Sequence, residues 1–265
     1  MKFLISVDLE GVACACGVFS ATVDEAFNIA SIRKQASLEA DAAVRALFDN
    51  GAEEVVVWDS HGGGCSLDYS LIDERAQFAI GGTVGTRFPI IEGIDGLLLI
   101  GYHSMAGTMD GALAHSFSSK TYQYMKINGQ MVGEIAVDAM VAGDYGVPVI
   151  FVSSDDKGVA EAKEVLPWVS TCQTKKSLAN TRIISKHPAA AVKDIYQGVC
   201  EAVSRMPEMQ IYRAETPIEL EVRFCRADVC RHANLRDHQG KPFAFRDAYT
   251  RYGKLDRCED AIFYL

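Results

Sequence analysis

Five side chains able to bind a metal ion occur between residues 8 and 134 of the chain, each beside the end of an apolar run or the start of a helical one. They are Asp8 and Glu10 in S-V-D-L-E-G, His61 in W-D-S-H-G-G-G, His103 in G-Y-H-S and Glu134 in N-G-Q-M-V-G-E. A sixth polar residue, His115 in L-A-H-S-F-S, lies between the last two. Two imidazoles and three carboxylates match the ligand set of a hydrolytic zinc centre. Asp8 and Glu10 would share a face in a continuing strand, where they repel unless a cation or a shared proton compensates them.

Each residue also has a plainer reading. An acidic pair can cap a helix or pair with an arginine, and His61 can be a turn histidine bonded to backbone. Glu134 can simply stabilise the start of its helix through the helix dipole. His115 has no acid close by in sequence, so it is either a core residue or a proton carrier. Ser104 and Ser116 raise a serine–histidine hydrolase, but no G-x-S-x-G elbow occurs. The Gly62-Gly63-Gly64 run lacks both the P-loop ending and the G-x-G-x-x-G spacing of phosphate cradles. Cys14 and Cys16 follow Glu10 closely, and as thiols without a C-x-x-C partner they read as small apolar residues.

These residues need elements to position them. Lys2 to Val7 reads as a buried strand, followed by a loop from Asp8 to about Ala21 and helical composition from Asp24 to Asn50. Strands are expected at Glu54–Trp58, Gln77–Ile80 and Leu97–Gly101. An extended run follows over Ala112–Ile127, with a hairpin turn at Asn128-Gly129. Helices are expected at Val132–Tyr145 and Asp155–Leu166 around a strand at Val147–Val152. The last third predicts a helix over Pro188–Met206, a half-exposed strand over Ile218–Cys225, and one further helix and strand. The alternation favours an α/β fold with a mainly parallel sheet flanked by helices, and a smaller C-terminal α+β part. The expected division is 1–187 for a metal-binding catalytic domain and 188–265 for the second part. In such folds the chemistry gathers past the carboxyl ends of the strands, where Asp8, Glu10, His61 and His103 fall.

Composition narrows the class. The 265 residues are 49% hydrophobic and 23% charged, ordinary for a globular chain with a sizeable core. A net charge of -9 disfavours phosphate-backbone binding, so no nucleic-acid partner is expected. No run is long and apolar enough to span a bilayer, and no export signal is visible, so the cytoplasm is the expected compartment. The eight cysteines then read as mostly reduced.

In their order and spacing, S-V-D-L-E-G, D-S-H, G-Y-H, A-H-S and N-G-x-x-V-G-E resemble the zinc-dependent D-aminopeptidases, peptidase family M55. The ordered set spans residues 6 to 134, and the likeness runs on through V-P-V-I-F-V-S-S-D-D at 147 to 156. The resemblance implies a two-zinc aminopeptidase. Asp8 matches the family's bridging carboxylate; Glu10 and His61 complete one zinc site, and His103 and Glu134 the other. His115 matches its catalytic histidine. The resemblance also implies a homo-oligomer, ring-shaped, acting on short peptides with a D-residue at the amino end. The Gly62–Gly64 run and the Cys14-x-Cys16 segment depart from the family pattern. Two rivals stand beside this expectation: another metal-dependent amide or phosphoester hydrolase, and a catalytically inactive metal-binding oligomer.

Overall fold

The structure is a computed structural model that describes residues 1–19, 22–82 and 85–261. Its main sheet has seven strands: β1 (Lys2–Val7), β2 (Glu54–Asp59), β3 (Gln77–Ala79), β4 (Gly96–Ile100), β7 (Val149–Asp155), β8 (Ser170–Ala179) and β9 (Arg182–Ser185). Their order is β3-β2-β1-β4-β7-β8-β9, parallel throughout except for the last pair. The second sheet is antiparallel. It joins β5 (Tyr122–Ile127), β6 (Gln130–Val132), β10 (Ile218–Phe224), β11 (Ala244–Phe245) and β12 (Thr250–Leu255) in the order β11-β12-β10-β5-β6. It thus draws strands from both sides of residue 187.

Period-two alternation assigns the central strands to two cores. Phe3, Ile5, Val7, Val55, Val57, Leu98 and Ile100 face one layer, and Leu4, Val56, Trp58, Leu97 and Leu99 face the other. The first layer is α1 (Ile29–Asp49) and α4 (Pro188–Ser204), packed on each other and on the sheet. Ile32, Ala36, Ala40, Ala43 and Leu47 recur at helical spacing along the buried face of α1. The second layer holds α2 (Glu134–Asp144), α3 (Asp156–Val165) and the antiparallel sheet, whose Met125, Ile127, Leu220 and Val222 complete that core. The short α5 (Ala227–His232) packs on β10.

Several expected boundaries move. The helix expected from Asp24 begins at Ile29, because Val23–Glu25 forms a separate turn in which the Thr22 amide donates to Glu25. The extended run expected from Ala112 becomes a strand only at Tyr122. Before it, Leu113 and Phe117 take left-handed backbone conformations in a loop that carries His115. The helix expected from Val132 starts at Glu134, since Val132 pairs with Met125 in the hairpin. β8 and β9 form where the sequence pattern signals no strand: Gln173, Lys175 and Lys176 break the apolar signature, although Lys175 lies wholly inside. Ala21, at the end of the expected first loop, and residues 262–265 of the expected second part lie outside the described residues.

Candidate metal centre

β1 lies between β2 and β4, where the order of the parallel strands reverses direction. A crevice opens past the carboxyl ends at such a switch point. Asp8 follows β1 directly, His61 comes two residues after β2, and His103 three after β4. Glu134 opens α2, and His115 comes from the long loop between β4 and β5, so the segment inserted between β4 and β7 closes the crevice from above. Two glycines let the loops meet. A Cβ on Gly11 would sit 1.8 Å from the Tyr102 carbonyl oxygen, and one on Gly101, at φ +73°, would sit 2.2 Å from the Asp8 oxygen.

The structure brings all five candidate ligands together, with His115 beside them. His61 Nδ1 lies 2.8 Å from Asp8 Oδ1 and 3.2 Å from Glu10 Oε2. His103 Nε2 lies 3.5 Å from Asp8 Oδ2 and 3.3 Å from Glu134 Oε1. The two oxygens of Asp8 therefore face different histidines. The His103 and His115 rings stack with centroids 4.0 Å apart. Potential ligand atoms of Asp8, Glu10 and His103 fall within 4.8 Å of one another, as do those of His103, His115 and Glu134.

The donor set fits a divalent cation better than it fits a closed hydrogen-bond network. Glu10 Oε2 and His103 Nε2 are buried, yet neither makes a hydrogen bond of acceptable geometry. An enclosed polar atom left this way costs about 1–3 kcal/mol. Glu10 Oε2 is an acceptor, and His103 Nε2 offers a lone pair once it gives up its proton, so a cation would satisfy both at once.

Electrostatics agree. Burial opposes charge on His61, but Glu10 and Asp8 outweigh it and push its pKa up to about 12. His103 is also opposed by burial, and Glu134, then Asp8 and Glu10, push it up to about 10. Burial lifts the Glu10 carboxyl, but His61 pulls it far below the usual carboxylate range. Glu134 is likewise lowered by His103 against its burial. Three carboxylates thus require positive charge among them. Without a cation, protons on the imidazoles supply it; a bound cation takes their place and frees the ligand nitrogens.

The surrounding residues orient the rings. His103 Nδ1 donates to the Ser104 carbonyl at 3.0 Å, and His115 Nδ1 to the Leu113 carbonyl at 2.7 Å. A carbonyl only accepts, so each ring keeps its proton on Nδ1 and offers Nε2. His61 reverses this, with Nδ1 toward the centre and Nε2 3.1 Å from Asp24 Oδ2. Beneath the crevice, the buried ammonium of Lys175 donates to the Glu10, Val12 and Ala15 carbonyls and so pins the segment that carries Glu10. Burial pulls its pKa down to about 8, against Asp155, Glu39 and Glu10.

Three residues important to this arrangement carry no signal in the sequence: Asp24, Lys175 and Arg87. Asp59, two residues before His61, accepts from the Ser66 and Leu67 amides and the Tyr69 hydroxyl, fixing the next loop. Neither Cys14 nor Cys16 lines the cavity, whereas Gly62 does. His187 caps α4, His232 bonds the Asp228 carbonyl and His238 pairs with Asp256, all apart from the centre. The cavity over the centre has a volume of about 360 Å³ and is open to solvent.

The model of the D-aminopeptidase family, Peptidase_M55, matches residues 1–239. The chain belongs to this family. Its similarity to the "D-aminopeptidase" of Bacillus subtilis (strain 168) is 30% identity over 245 residues, covering 89% of this chain and 85% of that protein. A solved structure described as "Zn-dependent D-aminopeptidase DppA from Bacillus subtilis, a self-compartmentalizing protease" superposes with a TM-score of 0.87 at 26% identity, covering 98% of this chain and 94% of that one. Family membership and the clustered ligand atoms together make this a metal-dependent hydrolase.

Proposed function

We propose that the protein is a two-zinc aminopeptidase that hydrolyses short peptides with a D-amino acid at the amino end. The observation that carries the reading is a pair of buried, unsatisfied ligand atoms, Glu10 Oε2 and His103 Nε2, beside an open cavity. Glu10 and His61 on one side, and His103 and Glu134 on the other, would hold one ion each, and Asp8 would serve both because its oxygens face both histidines. The names of the relatives support zinc and the D-configuration.

A bound pair of zinc ions supplies Lewis acidity toward a water and toward the scissile carbonyl. The chain's own residues do the rest. Asp24 is the lining carboxylate outside the proposed ligand set, and its charge at the cavity wall favours the substrate's free ammonium group. His115, with Nδ1 tied to Leu113, presents Nε2 to accept a proton from the attacking water and return it to the leaving amine. A second reading rests on the proximity of His115 to His103 and Glu134, which would make it a ligand of the second ion.

The solved relative is a self-compartmentalizing protease, and this supports a homo-oligomer, ring-shaped, that admits small peptides. All eight cysteines are free, which suits the reducing cytoplasm. The decisive assay compares D-alanyl and L-alanyl peptides on one zinc-loaded preparation. Faster release of the D-residue is expected. Faster release of the L-residue would reject the stereochemical part, and turnover of neither would reject the peptidase.

A further inference from the structure

We infer that Arg87 binds the α-carboxylate of the residue on the leaving side of the scissile bond, and so selects peptides that end soon after it. The inference rests on the aminopeptidase reading above and adds a specificity residue to it. Arg87 lines the cavity beside Glu134, His115 and Phe117, yet belongs neither to the ligand set nor to the proton path. Its guanidinium is held rigidly: Nε donates to Asp138 Oδ1 at 2.6 Å and one terminal nitrogen, Nη2, to Asp138 Oδ2 at 2.9 Å. Asp138 is itself buried and fixed by the Tyr102 hydroxyl at 2.6 Å. The guanidinium carbon lies 4.9 Å from the centre of the Trp58 ring and 5.5 Å from that of Phe117. Among the described residues Nη1 has no hydrogen-bond acceptor, while the side chain keeps 11% of its surface open.

A planar, permanently charged donor fork with one free arm at a cavity wall is suited to a carboxylate. Asp138 stands four residues after Glu134 on α2, so the helix that supplies one ligand also anchors Arg87 on the same cavity wall. A carboxylate close to the scissile bond of a short substrate would meet the guanidinium there.

The test uses the zinc-loaded protein with D-alanylglycine and D-alanylglycinamide, which differ only in that terminal charge. The acid is expected to show a kcat/KM on the order of tenfold or more above the amide, the effect of one charge-assisted contact. In Arg87→Lys, which keeps a cation beside Asp138 but removes the fork, the acid-to-amide ratio is expected to fall toward one, chiefly through KM for the acid. Equal rates for acid and amide in the parent protein would overturn the assignment while leaving the peptidase reading intact. An unchanged ratio in a folded Arg87→Lys protein would also overturn it. Hydrolysis of neither peptide would reject the peptidase reading and this inference together.

Discussion

At the scale of single residues, the centre is governed by how its charge is balanced. With folded pKa values pushed up to about 12 and about 10, His61 and His103 are protonated at pH 7 before metal binds. A cation must displace both protons, so affinity should strengthen as pH rises and weaken as it falls. Two displaced protons correspond to about 100-fold in apparent affinity per pH unit between pH 6 and 8. Titration calorimetry in buffers of different ionisation enthalpy measures the proton count directly; an affinity independent of pH would contradict the charge balance. His115 is the other residue-scale question. His115→Ala should lower kcat by about 10²- to 10⁴-fold while keeping the metal content of the parent. If one ion is lost with the side chain, His115 is a ligand instead. Asp8, Glu10, His61 and His103 were legible because each follows an apolar strand, and Glu134 because it starts a helix. Asp24 and Arg87 were not legible, since the chain passes through them in turns and only folding carries them to the crevice.

At the scale of elements, the loops after β1 and β4 must touch for the ligands to converge. The contact is glycine on glycine, with the Gly11 amide donating to the Gly101 carbonyl at 2.7 Å. Gly101→Ala combines a left-handed backbone with a Cβ driven into the Asp8 carbonyl. It should destabilise the fold by more than about 2 kcal/mol and weaken zinc retention more than a surface Gly51→Ala change does. Thermal melts and metal analysis on both variants check this, and equal behaviour would show that the close approach is dispensable. The parallel strands β1, β2 and β4 were readable from apolar runs buried on both faces. β8 was hidden because its buried positions include Thr174, Lys175 and Ser177, whose partners are backbone and carboxyl groups distant in sequence. The loop around His115 reads as extended because alternation there reflects a non-repeating chain set by Leu113 and Phe117, not a sheet.

At the scale of the whole molecule, one feature of the surface belongs with assembly. Phe27, Phe19 and Met109 are 99%, 87% and 83% exposed, a poor state for large apolar side chains in water. Analytical ultracentrifugation at micromolar concentration should give a mass several times that of one chain, and a single monomer boundary would contradict the oligomer. Among the described residues no helix is long and apolar enough to cross a membrane. The antiparallel sheet contributes to function through its hairpin, since β6 leads through Gly133 straight into Glu134. A Cβ on Gly133 would approach Glu161 Oε1 and Met105 Cβ to 2.6 Å, so the second sheet is fitted closely against the loop that carries His103.

The most direct test of the centre is the metal content of the purified protein after zinc loading and gel filtration, measured beside Asp8→Asn. The parent should retain two zinc ions per chain, as the proposal requires. The variant should lose at least one while keeping its secondary structure, because Asp8 alone faces both histidines. A parent chain that holds no zinc, or an Asp8→Asn protein that holds as much as the parent, would contradict a two-ion centre built around Asp8.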